Sequence, residues 1–228
     1  MLTRKEVIDM FDKVVVDDDK LSFIATFGNS VSDMEIVATL CAWMTNGYND
    51  ELSAIMEITR DMLNDSPTQG VVNWVTEDVV YDNCFFAILT NKCLYALLER
   101  LKGIYAIGSS LKCAYLGEVA NHKYAHEAFA SLLGGGTLFP TLESNCTFYR
   151  YNLLFYWLVY KLRCWGDVSI GNALLPCNDR VFDNAHRLGV TKKRLYANID
   201  GAICLTKIAR KWFGDNDFYK MYELLNYA

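Results

Sequence analysis

Tyr149-Arg150-Tyr151-Asn152-Leu153-Leu154-Phe155-Tyr156-Trp157-Leu158-Val159-Tyr160-Lys161 is the stretch on which the fold turns. Its apolar block, Leu153 to Tyr160, lies between Arg150 and Lys161. A membrane span needs roughly 20 apolar residues, so the block predicts a buried central helix. A second helix is expected after Leu174-Leu175-Pro176-Cys177. Asn178 or Asp179 suits its N-cap, and His186-Arg187-Leu188-Gly189 its end. If the chain has an active site, the two helix N-termini are where it is expected.

Helical patterns continue on both sides. Residues 4–13 form a short first helix. Ser32 or Asp33 precedes an apolar run through Trp43, which Asn46-Gly47 stops. Asn49-Asp50 begins the next helix, and Ser66-Pro67 ends it. Val71 to Trp74 adds a turn. Leu94, Leu97, Leu98, Leu101 and Ile104 repeat at helical spacing, which predicts a helix over 91–105. Ser109-Ser110 caps 111–119, and 122–133 runs up to Gly134-Gly135-Gly136. The last helices are 199–213 and 217–227. Only 79–81 and 84–89 have a moderate strand character. The expectation is an all-α chain, a compact bundle of about ten helices in two lobes, forming one domain over 1–228.

Composition narrows the function classes. Of 228 residues, 52% are hydrophobic, and there are only three prolines and fourteen glycines, which excludes a disordered chain. The first residues lack the apolar run of a signal peptide. The expectation is a cytoplasmic protein with no membrane partner. None of the eight cysteines forms a C-x-x-C pair, and most sit in apolar segments, so they read as reduced, buried thiols. His122 and His126 are spaced i, i+4 but have no third ligand in view, so no metal is expected. Gly134-Gly135-Gly136 follows no strand and precedes no Gly-Lys-Ser/Thr, so no phosphate cradle and no cofactor is expected.

Net charge is −5, but it is unevenly spread. Residues 147–228 carry 12 Lys+Arg against 7 Asp+Glu, or +5, while residues 1–146 carry 10 against 20, or −10. An acidic lobe about 1–146 and a basic lobe about 147–228 follow. The basic half points to a polyanion partner, nucleic acid and DNA first. Arg180, Arg187, Lys192, Lys193 and Arg194 are the expected contacts. Tyr149, Tyr151, Tyr156 and Trp165 are aromatics that either stack on an extruded base or pack in the core, with Tyr151 and Trp165 preferred for stacking.

Four motifs carry a resemblance over nearly the whole chain. They are Ser32-Asp33-Met34-Glu35-Ile36-Val37 through Ala42-Trp43, Ser66-Pro67, Arg150-Tyr151-Asn152 with Trp157, and Leu175-Pro176-Cys177-Asn178-Asp179-Arg180-Val181 with Leu188-Gly189-Val190. In this order they resemble an uncharacterised bacterial family of the helix-hairpin-helix superfamily of DNA base-excision glycosylases. The resemblance implies an endonuclease III-like fold. It also implies a carboxylate at the start of the helix after the Pro-containing loop, which stabilises charge on the sugar or helps a proton leave.

The polar positions depart from that pattern. Asn178 aligns with the family's Asp, Tyr149 with its Lys and Arg180 with its His. The place that matches the DNA-binding hairpin, 141–147, has no glycine. Two readings stay open. Either Asp179 supplies the carboxylate, with Arg150 or Tyr149 serving the leaving base, or Asn178 and Asp179 only cap a helix. The resemblance extends to phage enzymes described as thymine pyrophosphorylases, which implies base modification as an alternative. A catalytically inactive DNA-binding or protein-interaction module is the other. Oligomeric state is left open.

Overall fold

A computed structural model describes residues 4–11, 19–45, 66–74, 91–134 and 139–227. Every regular element among the described residues is helical, so the chain is all-α. The helices are α1 (Arg4–Phe11), α2 (Asp19–Ala25), α3 (Val31–Met44), α4 (Pro67–Asn73), α5 (Asn91–Tyr105), α6 (Leu111–Val119), α7 (Ala125–Leu133), α8 (Tyr149–Phe155), α9 (Asp179–Arg187), α10 (Ile199–Phe213) and α11 (Tyr219–Tyr227). α8 runs on into a π-helical turn, Tyr156–Lys161.

The chain divides into two compact units. One comprises Asp19–Lys123 and Glu127–Glu143, the other Met1–Asp18, Tyr124–His126 and Ser144–Ala228. The first carries 7 cations against 15 acids and the second 15 against 12. Most of the positive charge therefore falls in the unit that holds α8 to α11.

In the acidic unit, α3 packs against α2 and α4, and α5 against α4 and α6. Ile36 to Trp43 are buried at every position, as expected of a core helix with no polar face. Its N-cap is Ser30, which accepts the Asp33 N–H at 3.2 Å, rather than Ser32 or Asp33. Asp33 is instead drawn across to α4, where its carboxylate accepts the Thr68 N–H at 2.7 Å and the Thr68 hydroxyl at 2.6 Å.

Glu35 is fully buried. It accepts the Tyr105 hydroxyl at 2.6 Å and the N–H groups of Leu111 and Lys112 at 3.0 and 3.2 Å. Those N–H groups are among the first of α6, which have no partner within their own helix. Burial first, and the Glu35 charge second, push the Tyr105 hydroxyl well above its usual range.

Helix bounds differ from expectation at two places here. Ser66-Pro67 begins α4, ahead of the turn expected at Val71 to Trp74, because proline at the first helical position needs no N–H partner. α7 starts at Ala125 rather than His122, and Glu127 takes up the Lys123 N–H at 2.8 Å. The expected stop at Asn46-Gly47, the helix from Asn49, the two strand-like pieces and Gly135-Gly136 lie outside the described residues.

In the basic unit, α11 packs against α1, α9 and α10. Tyr151 to Val159 are buried, so the expected central helix is there. Its second half widens into the π turn, where the Leu162 N–H reaches the Trp157 carbonyl, five residues back, at 2.8 Å. Glu223 of α11 clasps this turn. One of its oxygens accepts both the Tyr156 hydroxyl and the Lys161 ammonium, each at 2.8 Å. Phe148, the N-cap of α8, has φ 51° and ψ 35°. A left-handed non-glycine residue costs on the order of 1–2 kcal/mol. The Phe148 ring stacks on buried His126 at 4.5 Å, which helps hold it there.

The remaining ligand-type residues are dispersed. Of the six described cysteines, all free thiols, Cys41 and Cys177 are buried, but Cys113 and Cys204 are exposed. His122 lies 3.5 Å from Glu118, while His126 is stacked between Tyr124 and Phe148. Among the described residues, no three His, Cys, Asp or Glu side chains are grouped to hold a metal, and no helix is long and apolar enough to cross a membrane.

Candidate nucleic-acid interface

The start of α9 distinguishes the two carboxamide and carboxylate roles. Asn178 has extended backbone, φ −110° and ψ 178°, and its side chain accepts the Val181 N–H at 3.0 Å. It is the N-cap. Asp179 follows as the first helical residue, where the helix dipole favours a negative charge. Its side chain is 77% exposed and accepts a hydrogen bond from Arg194 Nη2 at 3.0 Å. The same guanidinium donates through Nε to Asp183, one turn further along. Asp179 and Asp183, spaced i, i+4, therefore share one helix face.

Arg194 straps the loop after α9 back along its helix. Gly189 makes the reversal possible: at φ 70° it takes the left-handed position past the helix end that favours glycine. The Thr191 N–H then bonds the Ala185 carbonyl at 3.1 Å. Asp183 foremost, then Asp179, raise the Arg194 pKa above its ordinary value.

The α8 residues have other partners. Tyr149 is half-buried and hydrogen-bonds to Tyr222 of α11. Burial first, then the neighbouring hydroxyls of Tyr149, Tyr227 and Tyr156, push the Tyr222 hydroxyl well up. Arg150 is half-buried near Cys146, whose thiol is raised by burial and partly lowered again by the Phe148 N–H and the Arg150 charge. Tyr151 and Trp165, read as base-stacking residues, are both 0% exposed. That reading is corrected: their large apolar surfaces are in the core, and neither ring has a face open to a base.

The basic residues lie outside. Arg180, Lys192 and Lys193 are exposed and make no ion pair among the described residues. Arg187 is exposed as well. From Asn178 to Tyr196 there are five cations and two acids, and both acids are held by Arg194. The face thus keeps its positive excess in solvent, where it can meet a polyanion.

One residue of this face escaped sequence reading. Tyr196 is 82% exposed, the one aromatic among the large exposed hydrophobics of the described residues. A signal was available, since Tyr196 follows the basic run and precedes the Asn198 cap of α10, outside any apolar periodicity.

The motifs behind the resemblance have structural work of their own. Asp33 joins the first motif to Thr68, next to Ser66-Pro67, and Glu35 joins it to α6. Asn152 donates to the Thr147 carbonyl at 3.1 Å and so ties α8 to the segment before it.

Residues 19–220 match the family described as protein of unknown function (DUF2400), and the chain belongs to that family. No curated protein and no solved structure matches it.

Proposed function

We propose that this DUF2400 protein binds nucleic acid, with DNA as the first candidate, through the basic face formed by the start of α9 and the loop that follows it. The family description assigns no activity, so the reading rests on the chain's own residues. One observation carries it. Arg180 in the first turn of α9, and Lys192 and Lys193 in the loop after it, stand exposed and unmatched, while Arg194 ties down the two acids that would otherwise cancel them. Cations already free of carboxylates exchange counterions for phosphates without first breaking an ion pair.

A helix-hairpin-helix glycosylase-like fold belongs to the same proposal, supported by the order of the four motifs and by the all-helical architecture. Binding is favoured over base excision by the state of the polar groups. Asn178 is occupied as a cap, and Asp179 sits in solvent against Arg194. A carboxylate acting on a glycosidic bond works in a site that excludes water. Tyr149 carries a phenol and no amine, so it cannot form a Schiff base as a catalytic lysine does.

The test is binding of a labelled DNA duplex by the whole chain over a salt series, against the variant Arg180→Ala/Lys192→Ala/Lys193→Ala. Steep salt dependence in the wild type, largely lost in the variant, supports the proposal. Binding that is absent or insensitive to salt, or equal in both proteins, overturns it. Release of a free base by the wild type would restore the enzymatic reading.

A further inference from the structure

We infer that Tyr196 is a stacking platform for one unpaired base, so that the basic face prefers single-stranded DNA or an unpaired nucleotide to intact duplex. The inference rests on the nucleic-acid reading above and names the substrate class. Three observations carry it.

The ring is presented outward, at 82% exposure, on the loop that carries the free cations. Its backbone is fixed while its side chain projects. The Tyr196 carbonyl accepts the Asn198 N–H at 2.9 Å. It also lies so close to Gly201 that a Cβ there would sit 2.1 Å from it. Gly201 in turn gives its N–H to the Asn198 cap at 3.0 Å. Two residues before the ring, Arg194 anchors the loop to Asp179 and Asp183. An aromatic with few rotatable bonds on a fixed backbone loses little freedom when it binds.

The cations are at a suitable distance. Lys193 and Lys192 precede Tyr196 by three and four residues, and an extended chain covers about 3.3–3.6 Å per residue. The backbones of both lysines are therefore at most about 14 Å from that of Tyr196, and we place their ammonium groups against the phosphates that flank a stacked base. Single-strand binders combine these two parts, a cationic track for the backbone and an aromatic ring for the base. An intact duplex shows its base faces only to other bases. Stacking on Tyr196 therefore requires a base already out of the helix, or one extruded at a cost.

The experiment measures affinity for a labelled short oligothymidine and for a matched duplex, at several salt concentrations. Wild type, Tyr196→Ala and Tyr196→Phe are compared. The exposed site predicts that both variants fold, which circular dichroism checks. Tyr196→Ala is expected to lose roughly 5- to 150-fold in affinity for the single strand, the range that deletion of one base–aromatic stack produces. Its duplex affinity and its salt slope should not change, because the ring carries no charge. Tyr196→Phe should match wild type. If wild type binds both DNAs but Tyr196→Ala binds the single strand equally well, the stacking role fails and the basic face stands. A wild type that binds neither DNA overturns both.

Discussion

Replacing Asp179 and Asp183 together by Asn should strengthen DNA binding. In the wild type, Arg194 is shared between these two carboxylates, with Nη2 at 3.0 Å from Asp179 and Nε on Asp183. Three exposed cations, Arg180, Lys192 and Lys193, are then available to phosphates. Each phosphate neutralised on duplex DNA contributes about −0.9 to the slope of log K against log salt, so three give about −2.7. The double variant releases Arg194 as a fourth cation, and the slope should steepen to about −3.6. It also removes two negative charges from the face, so affinity at low salt should rise. Fluorescence anisotropy of a labelled duplex over a potassium chloride series reads both quantities. A slope that stays the same or becomes shallower, with weaker binding, would refute the reasoning. That result would mean that the strapped loop geometry matters more than the freed charge. A catalytic Asp179 makes a different forecast: unchanged binding and lost chemistry.

Other perturbations test the packing inside each unit. Glu35→Ala leaves the buried Tyr105 hydroxyl and Leu111 N–H without their acceptor, at about 1–3 kcal/mol each, so the urea midpoint should fall by an amount equal to about 3 kcal/mol with m unchanged. A loss under about 0.5 kcal/mol, the range of ordinary surface substitutions, would show that the carboxylate is no clasp. Gly201→Ala places a methyl group 2.1 Å from the Tyr196 carbonyl and 3.3 Å from the Phe182 ring. Overpacking of this kind costs about 1–3 kcal/mol. It should lower the melting temperature and weaken single-strand binding together, and wild-type binding in the variant would contradict the fixed-backbone argument.

Alkaline pH should destabilise the fold. Burial holds the Tyr105 and Tyr222 hydroxyls well above 10. The unfolded chain gives up these protons first, so their contribution is complete below pH 10 and fades above it. The slope is at most about 1.4 kcal/mol per pH unit for each group. Urea midpoints at pH 9, 10 and 11 check this, and a flat profile above pH 10 counts against it.

The legible parts of the fold were those set by local signals. The periodic leucines of 91–105 and the Ser110 cap gave α5 and α6 their observed bounds, and Asn178 proved to be the α9 cap. The helix expected at Val71 to Trp74 starts earlier, because Ser66-Pro67 is also a start signal and Pro67 is here at a first helical position. The site was less legible because its partners are distant in sequence. Arg194 meets Asp179 fifteen residues away, and Glu35 meets Leu111 seventy-six away. Neither pairing leaves a trace in periodicity. Aromatic type alone did not separate Tyr151 and Trp165, which are in the core, from Tyr196, which is outside. The charge asymmetry was visible from composition, whereas the cancellation of Asp179 and Asp183 by Arg194 needed the folded loop.

The most direct test of the central claim is lysine footprinting of the intact protein with and without DNA. Amine-specific acetylation is read by mass spectrometry at Lys192, Lys193, Lys207 and Lys211, all of which are exposed in the free protein. The account predicts that DNA slows modification of Lys192 and Lys193 and leaves Lys207 and Lys211 on α10 unchanged. Protection confined to Lys207 and Lys211, or no protection at any of the four, would contradict it.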